Sequence, residues 1–288
     1  MKIALVTCAS LPEWECDDQP LVDYVSRIAD VRSVAWDQPV DWAMFDAAVI
    51  RTTWDYTRRI EEYLAWVDTT SKQTKMYNSA SWIHWNANKM YLRSLENRGI
   101  PIAPSYFLDA SFDVEKELLS ILRKERWEKA FLKPVIGAGA EKTLRFRPSE
   151  LPKAQQFLTD VLPSSSMILQ PYLSSVETRG EVSLIYFDSQ FSHAVQKVPV
   201  SGDYRVQDDF GASDAPINAS EGMLSLAKRV IEQLKPIPLY SRIDLLFDDE
   251  RGWLLNEVEL IEPSLFFRHA PHAPKLLVDA IIKRLEYK

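Results

Sequence analysis

The first fifty residues carry short apolar runs that only a sheet covered on both faces can bury. Ile3 to Cys8 is nearly continuous, Val31 to Trp36 and Phe45 to Ile50 repeat the pattern, and Leu21 to Ile28 between them has helical spacing. Strand, helix and strand in that order predict an open parallel α/β sheet. In such sheets ligands bind beyond the carboxyl ends of the strands. That rule points to Arg51-Thr-Thr-Trp-Asp-Tyr56, which is polar and aromatic where a loop is due, ahead of a helix from about Arg58 to Thr70. Seven of the nine tryptophans fall at or before Trp85 and read mostly as core filler, with Trp54 set apart by its place in this loop.

After residue 87 the pattern changes. Asn88 suits the N-cap of a helix to Asn97, Gly99 its left-handed end, and Pro101 and Pro104 forbid its continuation. Then come strands at 106–108, 129–133, 143–146 and 167–169, with helices near 114–125 and 150–161. The remainder is richer in strand: 181–187 and 191–198 as a hairpin, 204–206, then 240–247 and 253–258, with helices at 221–234 and 275–285. The fold class is therefore α/β and α+β. Three units are expected: an open α/β unit over 1–87, a small mixed α+β unit over 88–172 and a strand-rich α+β unit over 173–288.

Composition narrows the partners. The 288 residues carry a net charge of −7 with no long run of like charge, which argues against nucleic acid or an anionic membrane as partner, since phosphate binding needs a basic face. No apolar run approaches a membrane span, and the first residues read as a strand, not a signal peptide. Two cysteines, Cys8 and Cys16, without C-x-x-C spacing suit reduced thiols in the cytoplasm. Only eight glycines occur, and five of them fall between 137 and 211. A chain this sparing places glycine where the backbone needs it.

Two patterns carry chemistry. In Lys133-Pro-Val-Ile-Gly137-Ala138-Gly139-Ala140 a lysine ends a strand and two glycines occupy the following loop. Such a loop either cradles phosphate, its N–H groups approaching closely beside a compact positive charge, or turns a hairpin. In Arg242-Ile-Asp244 and Asn256-Glu257-Val-Glu259, carboxylates interrupt apolar strands, and Glu257 and Glu259, two apart, share one face. Buried carboxylates on one face repel and need a cation, which favours Mg²⁺ over a solvated edge strand. A third segment, Ile168-Leu-Gln170-Pro171-Tyr172-Leu173, ends an apolar strand in a polar side chain and a proline, as a hinge or linker does. The four histidines fit no metal motif.

Taken together, Asn88-Lys89, the Lys133 to Gly139 loop, the Gln170 to Leu173 hinge and the Asp244, Glu257, Glu259 carboxylates resemble the ATP-grasp superfamily over nearly the whole chain. The segments Ile50 to Tyr56, Gly180 to Leu184, Ser192 to Lys197 and Gly202 to Gln207 are similar to its glutathione-synthetase-like branch, and within it to the cyclo-ligases that close O-ureido-serine to a ring.

The resemblance implies an ATP-grasp fold with a pre-ATP-grasp domain, a lid domain and a C-terminal domain bearing a metal site. It implies Lys89 and Lys133 on the ATP phosphates, Gly137, Ala138, Gly139 and Ala140 as a mobile flap, Gln170, Pro171, Tyr172 and Leu173 on adenine, and Glu177 on ribose. Asp244, Glu257 and Glu259 become ligands of Mg²⁺, or of Mn²⁺ in its place, although the family commonly has asparagine where this chain has Glu259. Arg205 and Lys133 become the catalytic groups at the transferred phosphoryl. The substrate would meet Arg51, Asp55, Glu181, Ser183, Lys197 and Arg205. The implied reaction is an ADP-forming C–N ligation of an amino-acid-like substrate or small peptide through an acyl phosphate. The intramolecular cyclo-ligase, a kinase and a non-catalytic nucleotide-binding module are the alternatives. ATP and a small molecule are the implied partners, and a second copy of the chain joins them, because such enzymes are often oligomers.

Overall fold

The structure is a computed structural model, and it describes residues 1–11, 15–207 and 210–286. Strands β1 (Lys2–Thr7), β2 (Asp30–Ala35), β3 (Ala47–Thr52) and β4 (Lys75–Tyr77) form a parallel sheet in the order β2-β1-β3-β4. Helices α1 (Gln19–Val25) and α2 (Ile60–Thr70) cover it, and the apolar runs of β1 and β3 are buried along their length, as a doubly covered strand requires. Two short helices, α3 (Ala80–Asn86) and α4 (Tyr91–Asn97), lead out of this unit.

The second sheet is antiparallel: β5 (Tyr106–Leu108), β6 (Ala130–Pro134), β7 (Leu144–Phe146) and β8 (Met167–Pro171) run β5-β8-β6-β7. Its helices α5 (Glu117–Glu125) and α6 (Leu151–Val161) close a separate small core around Leu118, Leu132, Leu158 and Leu169. The third sheet, also antiparallel, comprises β9 (Glu181–Phe187), β10 (Gln190–Val198), β11 (Ser213–Ile217), β12 (Tyr240–Asp248) and β13 (Gly252–Glu259) in the order β11-β10-β9-β12-β13. The one-turn helix α7 (Val176–Arg179) precedes it, α8 (Glu221–Gln233) packs on one face and α9 (Ala273–Glu286) on the other. No helix among the described residues is long and apolar enough to cross a membrane.

The expected elements form within a few residues, with some differences. Residues 204–206 are not a strand, because the Asp203 carboxylate accepts the backbone N–H groups of Tyr204 and Arg205 at 2.7 and 3.1 Å. Strands β4 and β11 and helices α3 and α7 were not expected. Residues 88–102, assigned by sequence to the middle unit, pack instead on the third sheet: Tyr91, Leu92, Leu95, Ile100 and Ile102 share a core with Leu226, Ile243 and Val258. The first and third sheets also share a core, in which Ile3, Leu5 and Val49 meet Phe187, Tyr240 and Leu277. That shared core fixes the loops after β3 against the end of β13.

Candidate active site

A cleft of about 680 Å³ is lined by strands of the second and third sheets and by the loop after β3 of the first. Lys89 and Lys133 converge there on one carboxylate: Lys133 Nζ lies 3.1 Å from Glu257 Oε1 and Lys89 Nζ 3.4 Å from Glu257 Oε2. Burial pushes the Glu257 carboxyl up, but the two ammonium groups outweigh it and hold the group below the usual carboxylate range. Lys133 also donates to the Asn256 side-chain oxygen at 3.0 Å, and Lys89 to the Gly137 carbonyl at 2.8 Å. The second of these bonds ties the glycine loop to the cleft floor. In that loop Gly139 and Ala140 take positive φ, and Gly137, Ala138, Gly139 and Ala140 all face the cleft. Across the mouth Arg58 pairs with Glu141, joining this loop to the loop after β3.

A second charged group lies deeper. Register places Asp244 opposite Glu257 and Arg242 opposite Glu259, so alternation along β12 and β13 turns all four toward one face. Arg242 holds Asp244 with bonds of 2.9 to 3.2 Å and also pairs with Glu259, while Ser183 donates to Asp244 at 2.5 Å. Burial raises Asp244, but Arg242 and then Lys197 bring it down to about 2. Burial raises Glu259 to about 8 against the pull of Arg242, although 27% of its side chain faces the cleft. Lys197 pairs with Glu181, its register partner on β9. This pairing explains Gly180, whose φ is +65° and where a Cβ would stand 2.2 Å from the Lys197 carbonyl oxygen.

Among the described residues, no three His, Cys, Asp or Glu side chains gather closely enough to cage a metal. Asp244, Glu257 and Glu259 are therefore not a preassembled ligand set, because Arg242 stands between Asp244 and Glu259 and Glu257 is held by lysines. The donor chemistry nevertheless fits Mg²⁺ brought in with a nucleotide. Mg²⁺ is usually held by one or two carboxylates together with phosphate oxygens, and phosphates entering here would relieve the lysines of Glu257.

The hinge lines the same cleft. Gln170 donates to Ser105 Oγ at 2.8 Å, and Pro171, Tyr172 and Leu173 border the opening. Phe131, Tyr172 and Tyr204 form an aromatic group with centroids 5.2 to 6.4 Å apart. Arg205 also faces the cleft, folded back on Asp203 and stacked over Phe210.

Four expected contact residues lie elsewhere. Arg51, 2% exposed, makes a bidentate pair with Asp18 at 2.9 Å and donates to the Pro263 carbonyl at 3.1 Å. Asp55 accepts the Trp36 indole N–H at 2.9 Å. Glu177 accepts Tyr172 Oη at 2.7 Å and Arg145 Nη1 at 2.8 Å, and braces the hinge from behind. Ser183 is fully buried beneath Asp244. None of the four borders the cleft in this structure, where their bonds support its walls. In their place Trp54, 45% exposed, and Tyr56 face the opening from the same loop. Sequence reasoning also missed Arg242, Asn256 and Glu262. Arg242 was signalled by its place two residues before Asp244 on a strand, which puts both on one face.

Comparison with known proteins agrees with this architecture. The family model for the N-terminal domain of D-cycloserine synthetase DcsG matches residues 3–78. The chain is 28% identical over 300 residues to cycloserine biosynthesis protein DcsG of Streptomyces lavendulae, covering 99% of each. It superposes on the crystal structure of D-cycloserine synthetase DcsG with a TM-score of 0.89 at 26% identity, covering 99% of this chain and 100% of that one. The fold is shared with a RimK domain ATP-grasp protein of Sphaerobacter thermophilus, at a TM-score of 0.69 and 16% identity over 96% and 98% of the two chains. It is shared too with D-alanine–D-alanine ligase of Bacillus anthracis solved with ATP, at 0.68 and 15% over 99% and 97%.

Proposed function

From the full-length likeness and the shared fold, we propose that the chain is an ATP-grasp enzyme, an ADP-forming C–N ligase for an amino-acid-like substrate, of the intramolecular, ring-closing kind. The observation that carries this reading is the convergence of Lys89 and Lys133 on Glu257 beneath the glycine loop. Two lysines and a hard carboxylate in a partly dehydrated cleft suit a triphosphate and Mg²⁺, and Mn²⁺ shares that preference for oxygen ligands. Free Cys8 and Cys16 suit the reducing cytoplasm.

In the proposed reaction a substrate carboxylate oxygen takes the γ-phosphoryl of ATP, ADP leaves, a nitrogen of the same molecule attacks the acyl carbon, and phosphate departs. Lys89 and Lys133 bind and orient the phosphates, the glycine loop covers them, and the aromatic hinge walls the base. Arg242 and Lys197 keep Asp244 ionised. Bound Mg²⁺ would neutralise phosphate charge, held by Glu257 together with Glu259 or Asp244. Arg205, released from Asp203, has the planar fork to meet the transferred phosphoryl.

The test is incubation with ATP, Mg²⁺ and O-ureido-serine, or pools of amino acids, with ADP release and product mass followed together. Ring closure shows loss of water from one substrate, intermolecular ligation shows a joined product, and a substrate gaining phosphate would make the protein a kinase.

A further inference from the structure

One carboxylate in the cleft has no partner. Glu262 lies just past β13, only 8% exposed, and borders the cleft. No other described side chain or backbone group gives its carboxylate a hydrogen bond or ion pair, and only its own backbone N–H approaches it. Of the other acids around the opening, Glu257 is matched by two lysines, Glu259 and Asp244 by Arg242, Glu181 by Lys197 and Glu141 by Arg58, while Glu15 accepts from the Asp17 N–H and the Cys16 thiol. Burial pushes this carboxyl up, and Arg242, Lys89 and Arg51 offset that only from beyond bonding distance. A buried carboxyl with no direct partner is costly, and a ligand cation at the cleft would relieve it.

The segment around it is held rigidly. Asn78 donates to the Leu260 carbonyl at 2.7 Å, Tyr240 to the Ile261 carbonyl at 2.7 Å, and Arg51 to the Pro263 carbonyl at 3.1 Å, while Asn86 accepts the Leu260 N–H at 2.8 Å. Clamping three carbonyls around one residue fixes where its side chain points, as a recognition group needs. Glu262 lies near Tyr56, which follows β3 and lines the same cleft. Its charge is among those felt by the Tyr56 phenol, which burial first and then Glu262 push up.

We propose that Glu262 is the specificity-determining residue that receives the α-ammonium group of the substrate, with Arg51 as a positioning residue acting through the Pro263 carbonyl. This inference rests on the amino-acid ligase reading above. It gives the Arg51 segment a role in substrate choice without contact.

The experiment compares the full-length chain with Glu262→Gln and Glu262→Asp, using O-ureido-serine and its 2-hydroxy analogue, which lacks the ammonium. Binding to protein loaded with a non-hydrolysable ATP analogue and Mg²⁺ is measured by calorimetry, and ADP release in parallel. For Glu262→Gln, Kd and KM for O-ureido-serine should rise about tenfold to hundredfold, the range for losing a hydrogen bond to a charged group. Discrimination against the hydroxy analogue should fall by the same factor, nucleotide affinity should hold within twofold, and Glu262→Asp should recover part of the loss. Unchanged discrimination, or a raised Mg²⁺ requirement with unchanged substrate Kd, overturns the assignment; the second result would make Glu262 a metal ligand. Binding that depends on Glu262 without ADP release would fail the ligase reading and keep the ammonium site. Absence of any O-ureido-serine binding by the unsubstituted chain would overturn the site itself.

Discussion

Two ion-pair centres in this protein use the same chemistry for opposite ends. Arg51 and Asp18 are sealed between the first and third sheets, bidentate at 2.9 Å with side chains only 2% and 6% exposed. Lys89, Lys133 and Glu257 meet at 3.1 and 3.4 Å on the wall of an open cleft. The planar fork of arginine satisfies one carboxylate completely and fixes a backbone carbonyl with a remaining donor, which suits a permanent joint. Lysines on flexible stems make a joint that can be exchanged for phosphate. Whether a charged pair serves the fold or the ligand is therefore decided by what else can reach it.

The sharpest way to break the comparison is to neutralise one member of each centre. Glu257→Gln should reduce ADP release by about a hundredfold to a thousandfold in steady-state assays while the circular dichroism spectrum stays native. Near-normal turnover would remove Glu257 from the phosphate site. Arg51→Met should instead lower the unfolding free energy by about 3–5 kcal/mol in denaturant titration, because it strands a buried carboxylate. Adding Asp18→Leu should return much of that loss, and a cost below about 1 kcal/mol for the single variant would show the joint to be dispensable.

A smaller effect separates scaffold from cleft by pH. His193 is buried between β10 and Leu265, its Nε2 3.0 Å from that carbonyl, and burial holds its pKa at about 4. The unfolded chain takes up this proton near pH 6.5 and the folded chain does not until near pH 4. Stability should therefore fall as pH drops through that window and level off below it, by at most about 3 kcal/mol from this group. His193→Gln should flatten that part of the profile; an unchanged slope would place the titration elsewhere.

Much of the fold was legible because burial leaves a periodic trace. The continuous runs of β1 and β3 and the long strands β9, β12 and β13 are visible as patterns of apolar residues. Strand β11 left none: it is a mostly solvent-facing edge with Pro216 inside it, the place where a sheet tolerates proline. Strand β4 is three residues long, too short for a period. At the site, the lysines, the glycine loop, the hinge and the acids of β12 and β13 were legible as residue types at strand ends, and the structure brings them to one cleft. What stayed hidden was partnership. Arg51 looks like a substrate-binding arginine until Asp18, thirty-three residues earlier, is seen to hold it. Glu262 looks like any loop acid until it is seen buried at the cleft with no side chain bonded to its carboxyl.

The central claim is that this cleft passes the γ-phosphoryl of ATP to a substrate carboxylate before nitrogen attacks. The most direct measurement follows oxygen from O-ureido-serine labelled with ¹⁸O in its carboxyl group, using mass spectrometry of the phosphate released in a single turnover. Phosphate carrying one ¹⁸O per product formed is the predicted result. Product formed with unlabelled phosphate would contradict it, since the carboxylate oxygen would then never have been phosphorylated.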